Sequence, residues 1–154
     1  MKKLLIALAA ALVLGACASG PSLSTADRLA LYQAHAGQPV QGFQLARNFR
    51  WTSLGDQAIA VWGVGNQAHL LEMRSRCSGL GFASRIHITN SMGRVSARFD
   101  RVMPLNSTGS NMQQTSCTIW TIRPLDTAAL NDSKREMRDA QTVDRPADLV
   151  EEKE

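Results

Sequence analysis

Between Gly42 and Ile122 the apolar side chains recur at every second position, in short runs separated by turn-forming residues. A pleated strand sends successive side chains to opposite faces, so each run buries one face and wets the other. Within Gly42–Thr52, Phe43, Leu45, Phe49 and Trp51 share a parity that Arg47 interrupts, and a break or bulge is expected there. Ser53-Leu54-Gly55-Asp56 turns the chain, and Gln57–Trp62 sets Ile59 and Val61 on one face and Trp62 on the other. After a turn over Gly63–Gln67, Ala68–Arg74 directs Leu71 and Met73 inward. Arg85–Thr89 turns Ile86 and Ile88 inward and His87 outward, and Asn90-Ser91-Met92-Gly93 has the composition of a hairpin turn. Val95, Ala97 and Phe99 alternate until Val102 breaks the parity, which predicts a bulge at Asp100-Arg101. The last strand, Ser116–Ile122, sets Cys117 and Ile119 on one face and Trp120 and Ile122 on the other. Short strands at this spacing predict an antiparallel meander of about five or six strands.

A helix flanks the strands on each side, and the fold class is therefore α+β. Thr25–Ala36 carries Leu29, Tyr32 and Ala36 on one face, with Ser24 or Thr25 as cap, Asp27 in the first turn and Gly37 as stop. Asp126 can cap a closing helix from Thr127 to about Arg138. Residues 25–138 thus form one compact domain. Pro104–Thr115 is polar and reads as a mobile loop, and the acid-rich stretch 139–154 has little to bury, which predicts a disordered tail.

Ahead of the domain, Lys2 and Lys3 precede an apolar run from Leu4 to Val13. The run is too short to span a bilayer, which takes roughly 20 apolar residues, and it has the proportions of a signal peptide. It closes in Leu14-Gly15-Ala16-Cys17, where a small residue before a cysteine suits cleavage by signal peptidase II after lipidation of Cys17. Residues 1–16 read as the signal and 17–24 as the lipidated cysteine with a Gly-, Pro- and Ser-containing tether. Ala18 and Ser19 follow, with no Asp after the cysteine. That pattern resembles Gram-negative lipoproteins sorted to the outer membrane, with the domain facing the periplasm.

With Cys17 assigned to lipid, Cys77 and Cys117 remain. In an oxidising compartment an even pair reads as a disulfide, worth about 4 kcal/mol in the chain-entropy model. A redox thiol pair or soft metal ligands are the alternatives, although redox pairs usually sit close, as C-x-x-C. Charge is distributed unevenly. Asp27–Arg123 holds ten arginines, no lysine and four acids (Asp27, Asp56, Glu72, Asp100), whereas from Pro124 onward nine acids face five bases. A basic body suits an anionic partner, or is simply a solvated arginine-rich surface. No nucleic-acid motif occurs, and nucleic acid is not an expected partner in the envelope.

His69-Leu70-Leu71-Glu72-Met73, Cys77-Ser78-Gly79-Leu80, Phe99-Asp100-Arg101-Val102 and Cys117-Thr118-Ile119 resemble, in order and spacing, a family of small proteobacterial lipoproteins of unknown function. Phe49-Arg50-Trp51 and Leu54-Gly55 fit the same pattern, and the resemblance covers roughly residues 43–125. It implies a compact domain with two paired cysteines, and no activity, ligand or catalytic residue.

The residues themselves offer no catalytic set. There is no G-x-S-x-G, and His35, His69 and His87 are isolated, without zinc spacing. His69, Met73 and Cys77 could be drawn as a soft-metal site, but strand positions four apart lie about 13 Å from each other. No metal or cofactor is expected. Asp100 beside Arg98 and Arg101 is the most suggestive ionic cluster, and it reads as a structural ion pair before a general acid or base. Trp51, Trp62 and Trp120 either fill cores or line a groove. The leading expectation is a non-enzymatic, outer-membrane-anchored periplasmic module. It would bind an envelope protein or an anionic envelope component through Arg94, Arg98, Asp100 and Arg101, and touch the membrane through its N-terminal acyl chains. A small-ligand carrier for lipid or glycan, and an enzyme with a site near Asp100, are the alternatives.

Overall fold

The computed structural model describes residues 23–105 and 115–143. Cys17, the expected signal and most of the expected tether, the centre of the 104–115 stretch and residues from 144 lie outside the described residues.

Among the described residues, eight strands and two α-helices follow in the order α1 (Thr25–Ala34), β1 (Gly42–Gln44), β2 (Arg50–Ser53), β3 (Ala58–Trp62), β4 (Ala68–Met73), β5 (Arg85–Ile88), β6 (Arg94–Ser96), β7 (Arg101–Leu105), β8 (Cys117–Pro124) and α2 (Thr127–Val143). Six strands form a curled antiparallel sheet in the order β2-β3-β4-β8-β7-β5, and β1 pairs with β6 in a small second sheet. The α+β class and the six-stranded sheet agree with the sequence reading. The meander holds for β2-β3-β4 and then fails. The 90–93 turn does not fold β6 back onto β5; β5 pairs with β7, and β6 crosses to β1.

Both faces of the sheet are covered over β3 and β4, and parity along these strands decides which residue goes where. Ile59, Val61, Leu71 and Met73 point into the curl, where they meet Ile88, Val102, Ile119 and Ile122. Ala58, Ala60, Ala68 and Leu70 point to the other side and pack against Tyr32 of α1 and Leu130 of α2. Three alanines there let the helices approach closely. A fully buried aliphatic side chain contributes roughly 1.5–3 kcal/mol, so the two cores supply most of the driving force.

Local chemistry sets the helix ends. The Ser24 hydroxyl oxygen accepts from the Asp27 N–H at 3.1 Å, and Asp126 Oδ1 accepts from the Ala129 N–H at 3.0 Å. The Asp126 N–H donates to the His35 carbonyl at 3.0 Å, and Lys134 Nζ donates to the Tyr32 hydroxyl at 2.8 Å, joining α2 to α1. α2 runs five residues beyond Arg138, into the stretch expected to be disordered.

The Gly42–Thr52 run divides at the expected break into β1 and β2, which belong to different sheets. Gly42 allows the β1–β6 pairing, because a Cβ there would fall on the Val95 carbonyl. Phe43 then closes the curl by stacking on His69 with ring centroids 4.4 Å apart. β8 changes partner along its length. Its later half lies between β4 and residues 36–40, with Val40 N–H donating to the Ile122 carbonyl at 2.8 Å, and its start lies between β4 and β7. Cys77, in the bend after β4, is disulfide-bonded to Cys117 at the head of β8, with Cα atoms 5.7 Å apart.

Candidate functional site: an arginine–tryptophan face

Among the described residues, the helices pack over β3 and β4 and not over the outer face of β5, β7 and the start of β8. Val102 and Cys117 are register partners buried in the curl, so their neighbours Arg101 and Thr118, also partners, face outward. By the same parity Arg85 and His87 of β5 point outward, and both are exposed.

Trp120 is the centre of this surface. Strict alternation assigns it the face of Ile122, opposite Ile119. Between the pairs Glu72↔Thr121 and Met73↔Ile119 the register shifts, leaving Trp120 as the extra residue of a β-bulge. The bulge returns both Ile119 and Ile122 to the core and turns Trp120 outward, 40 % exposed. Two guanidinium groups flank its ring: Arg74 at 5.3 Å and Arg98 at 4.9 Å from the centroid. Each contact contributes about 0.5–1 kcal/mol at an exposed site. Arg74 is placed by its N–H, which donates to the Thr118 carbonyl at 2.9 Å.

Arg98 reaches the ring from a costly backbone. The expected bulge at Asp100-Arg101 is instead a turn over residues 97–99, in which Arg98 has φ 70°. A non-glycine residue in this left-handed region costs about 1–2 kcal/mol, and such outliers concentrate at functional sites. Its N–H donates to the Ile119 carbonyl at 2.7 Å, and Asp100 locks the turn. Asp100 Oδ2 accepts from the Ser96 N–H at 2.7 Å and Oδ1 from the Thr89 hydroxyl at 2.7 Å. Asp100 therefore holds the turn through neutral donors rather than through an ion pair with Arg98.

Of the residues expected to act together, Arg98 and Arg101 both lie beside the first half of β8, Asp100 holds the turn that carries Arg98, and Arg94 lies apart on β6 opposite Gln44. Arg74 and Arg85 are not among the sequence candidates, and Trp120 is there only as a residue that fills a core or lines a groove with Trp51 and Trp62, not as a partner of the arginines. The signal for Trp120 was present: Trp120 and Ile122 share a parity that the core residue Ile119 does not, which is how a bulge reads in sequence. Arg74, one residue past a strand end, gives no such sign.

The other candidates separate. The Cys77 sulfur is committed to the disulfide and His69 is buried against Phe43, so the drawn His69–Met73–Cys77 set does not converge. His69 is 8 % exposed, its Nδ1 is buried without a hydrogen-bond partner, and burial lowers its pKa from 6.5. It borders an open cleft of about 480 Å³ that Gly65, Gln67, Pro124 and Thr127 also line. Trp51 and Trp62 are half-buried against the two cores.

Fold and surface together define a small disulfide-tied α+β domain with a curled sheet and an arginine-rich face on β5, β7 and the head of β8. The chain belongs to a family of unknown function, DUF6491, whose match spans residues 1–141. No curated protein and no solved structure matches the chain.

Proposed function

We propose that the protein is a lipoprotein held at the outer membrane by an acylated Cys17. In this reading it works in the periplasm as a non-enzymatic binding module and receives an anionic partner on the arginine–tryptophan face. One observation carries the binding role. Trp120 carries Arg74 and Arg98 over its ring, Arg101 and Arg85 take outward positions on β7 and β5, and none of the outward positions of β5, β7 or the head of β8 is a carboxylate. Guanidinium groups recognise phosphate and carboxylate bidentately, and the ring restrains two of them before any ligand arrives. Glu72, at the border with the helix-covered face, is engaged by Thr121 at 2.6 Å and Gln33 at 2.8 Å. An enzymatic role for Asp100 gains no support, since its oxygens are engaged by the Ser96 N–H and the Thr89 hydroxyl.

The cleft beside His69 supports a second reading, a carrier for a small molecule. The specific feature in favour is His69, which lines the cleft and whose buried Nδ1 has no hydrogen-bond partner among the described residues.

Crosslinking in intact envelopes, followed by affinity capture and mass spectrometry, tests the first reading. The wild type is expected to carry acyl chains on Cys17 and to capture an anionic component that Arg74→Ala/Arg98→Ala/Arg101→Ala does not. An unmodified Cys17 would refute the anchor, and undiminished capture by the triple variant would refute the face.

A further inference from the structure

We infer that the anionic partner of this face is the phospholipid surface of the bilayer itself, on which the domain lies with its arginine–tryptophan side down. The inference deepens the proposed function and rests on the anchored reading.

Its first support is where the chain enters the domain. Thr25 packs over Gly55 in the β2–β3 turn, where its Cγ2 would lie 2.7 Å from a Cβ, and the Arg28 guanidinium donates to the Ser53 carbonyl. That turn is bonded to the bend after β4. The Cys77 N–H donates to the Asp56 carbonyl at 2.7 Å, and the Gly81 N–H donates to Asp56 Oδ1 at 3.0 Å. The same bend carries Arg74 to Trp120 and, through the disulfide, holds the head of β8. The start of α1, the 77–82 bend and the Arg74–Trp120 pair therefore share one end of the sheet. Val64, in the turn joining β3 to β4, marks the opposite end. Seven residues run from Cys17 to Ser24, a reach of at most about 25 Å fully extended. An acylated Cys17 thus keeps this end, and not the Val64 end, close to the bilayer.

Its second support is what this end exposes. Phe82, at the tip of the bend, is 91 % exposed, and Phe99, next to Arg98, is 82 % exposed. Single exposed apolar residues need no explanation, but here two phenylalanines and Trp120 accompany Arg74, Arg76, Arg85, Arg98 and Arg101. Aromatic rings suit the boundary between headgroup and acyl chain, and guanidinium groups suit the phosphates just above it. Among the described residues, the acids at this end are engaged: Asp56 by Arg76 at 3.4 Å and by Gly81, Asp27 by the Ser24 hydroxyl at 2.6 Å, Glu72 by Thr121 and Gln33, and Asp100 by Ser96 and Thr89.

The test places the photoreactive residue p-benzoylphenylalanine at position 82, 99 or 64 of the full-length protein in cells, then analyses adducts and the mass of Cys17 in one sample. The expected result is an acylated Cys17 with phospholipid adducts at 82 and 99, at least about tenfold above those at 64. An unacylated Cys17 overturns the anchored reading and this inference together. With Cys17 acylated, protein adducts at 82 and 99, no adducts there, or equal lipid labelling at 64 overturns the inference alone and leaves the anchor standing.

Discussion

Removing the disulfide with Cys77→Ala/Cys117→Ala should cost this fold about 5 kcal/mol. The bond joins residues 40 apart in sequence, and closing a loop of that length restricts the unfolded chain by about 4 kcal/mol in the chain-entropy model. Both cysteines belong to the inner core, Cys77 fully buried, so losing two sulfurs leaves a void worth about 1 kcal/mol more. Alanine is chosen over serine so that no unpaired hydroxyl enters that core. Domains of this size have about 5–15 kcal/mol in total, so the variant should remain folded only marginally. Urea unfolding of the oxidised wild type, the reduced wild type and the double variant measures the effect. At a slope of about 2 kcal/mol per molar, the midpoint should fall by about 2.5 M, and reductant should shift the wild type but not the variant. Equal midpoints for all three samples would refute the reasoning, because the bond would then constrain nothing in the unfolded chain.

Other consequences are open to direct measurement. Burial depresses the His69 pKa, so the unfolded chain binds the extra proton first; stability should be complete above about pH 6.5 and fall as the pH drops below it. Thermal unfolding from pH 5 to 8 should show this slope, and His69→Leu should flatten it. Gly42→Ala should cost about 1–3 kcal/mol in denaturant unfolding, because the new methyl group meets the backbone carbonyl of Val95 and not a movable side chain. Asp126→Ala should cost about 1 kcal/mol by the same assay, through loss of the α2 cap. Arg98→Gly separates structure from recognition. Relief of the left-handed backbone offsets the lost ring contact, so stability should change by less than about 1 kcal/mol while capture of the anionic partner falls.

Where the fold depends on local chemistry, it could be read from the residues. Ser24 and Asp126 cap the helices they precede, Ile59, Val61, Leu71 and Met73 take the inward face their alternation assigns, and His87 points outward. Partner choice was not legible, because alternation says which face a residue takes and not which strand lies beside it. The Asn90–Gly93 turn has hairpin composition, yet Val95 finds its place opposite Phe43 across the curl, a contact 52 positions away in sequence. The site suffered most from this. Alternation makes Arg98 a strand residue, but the Asp100 hydrogen bonds convert that segment into a turn, and only the turn brings its guanidinium to Trp120. Arg74 and Trp120 lie 46 positions apart and meet because the β4–β8 register shifts by one residue.

Fluorescence of Trp120 is the most direct probe of the central claim. In a Trp51→Phe/Trp62→Phe background it becomes the sole tryptophan and reports from the middle of the proposed binding face. Titration with isolated envelope fraction at low salt should shift and quench its emission, and raising the ionic strength or introducing Arg74→Ala/Arg98→Ala should abolish the change. Emission that never responds to the envelope, or responds equally with both arginines removed, would contradict the account.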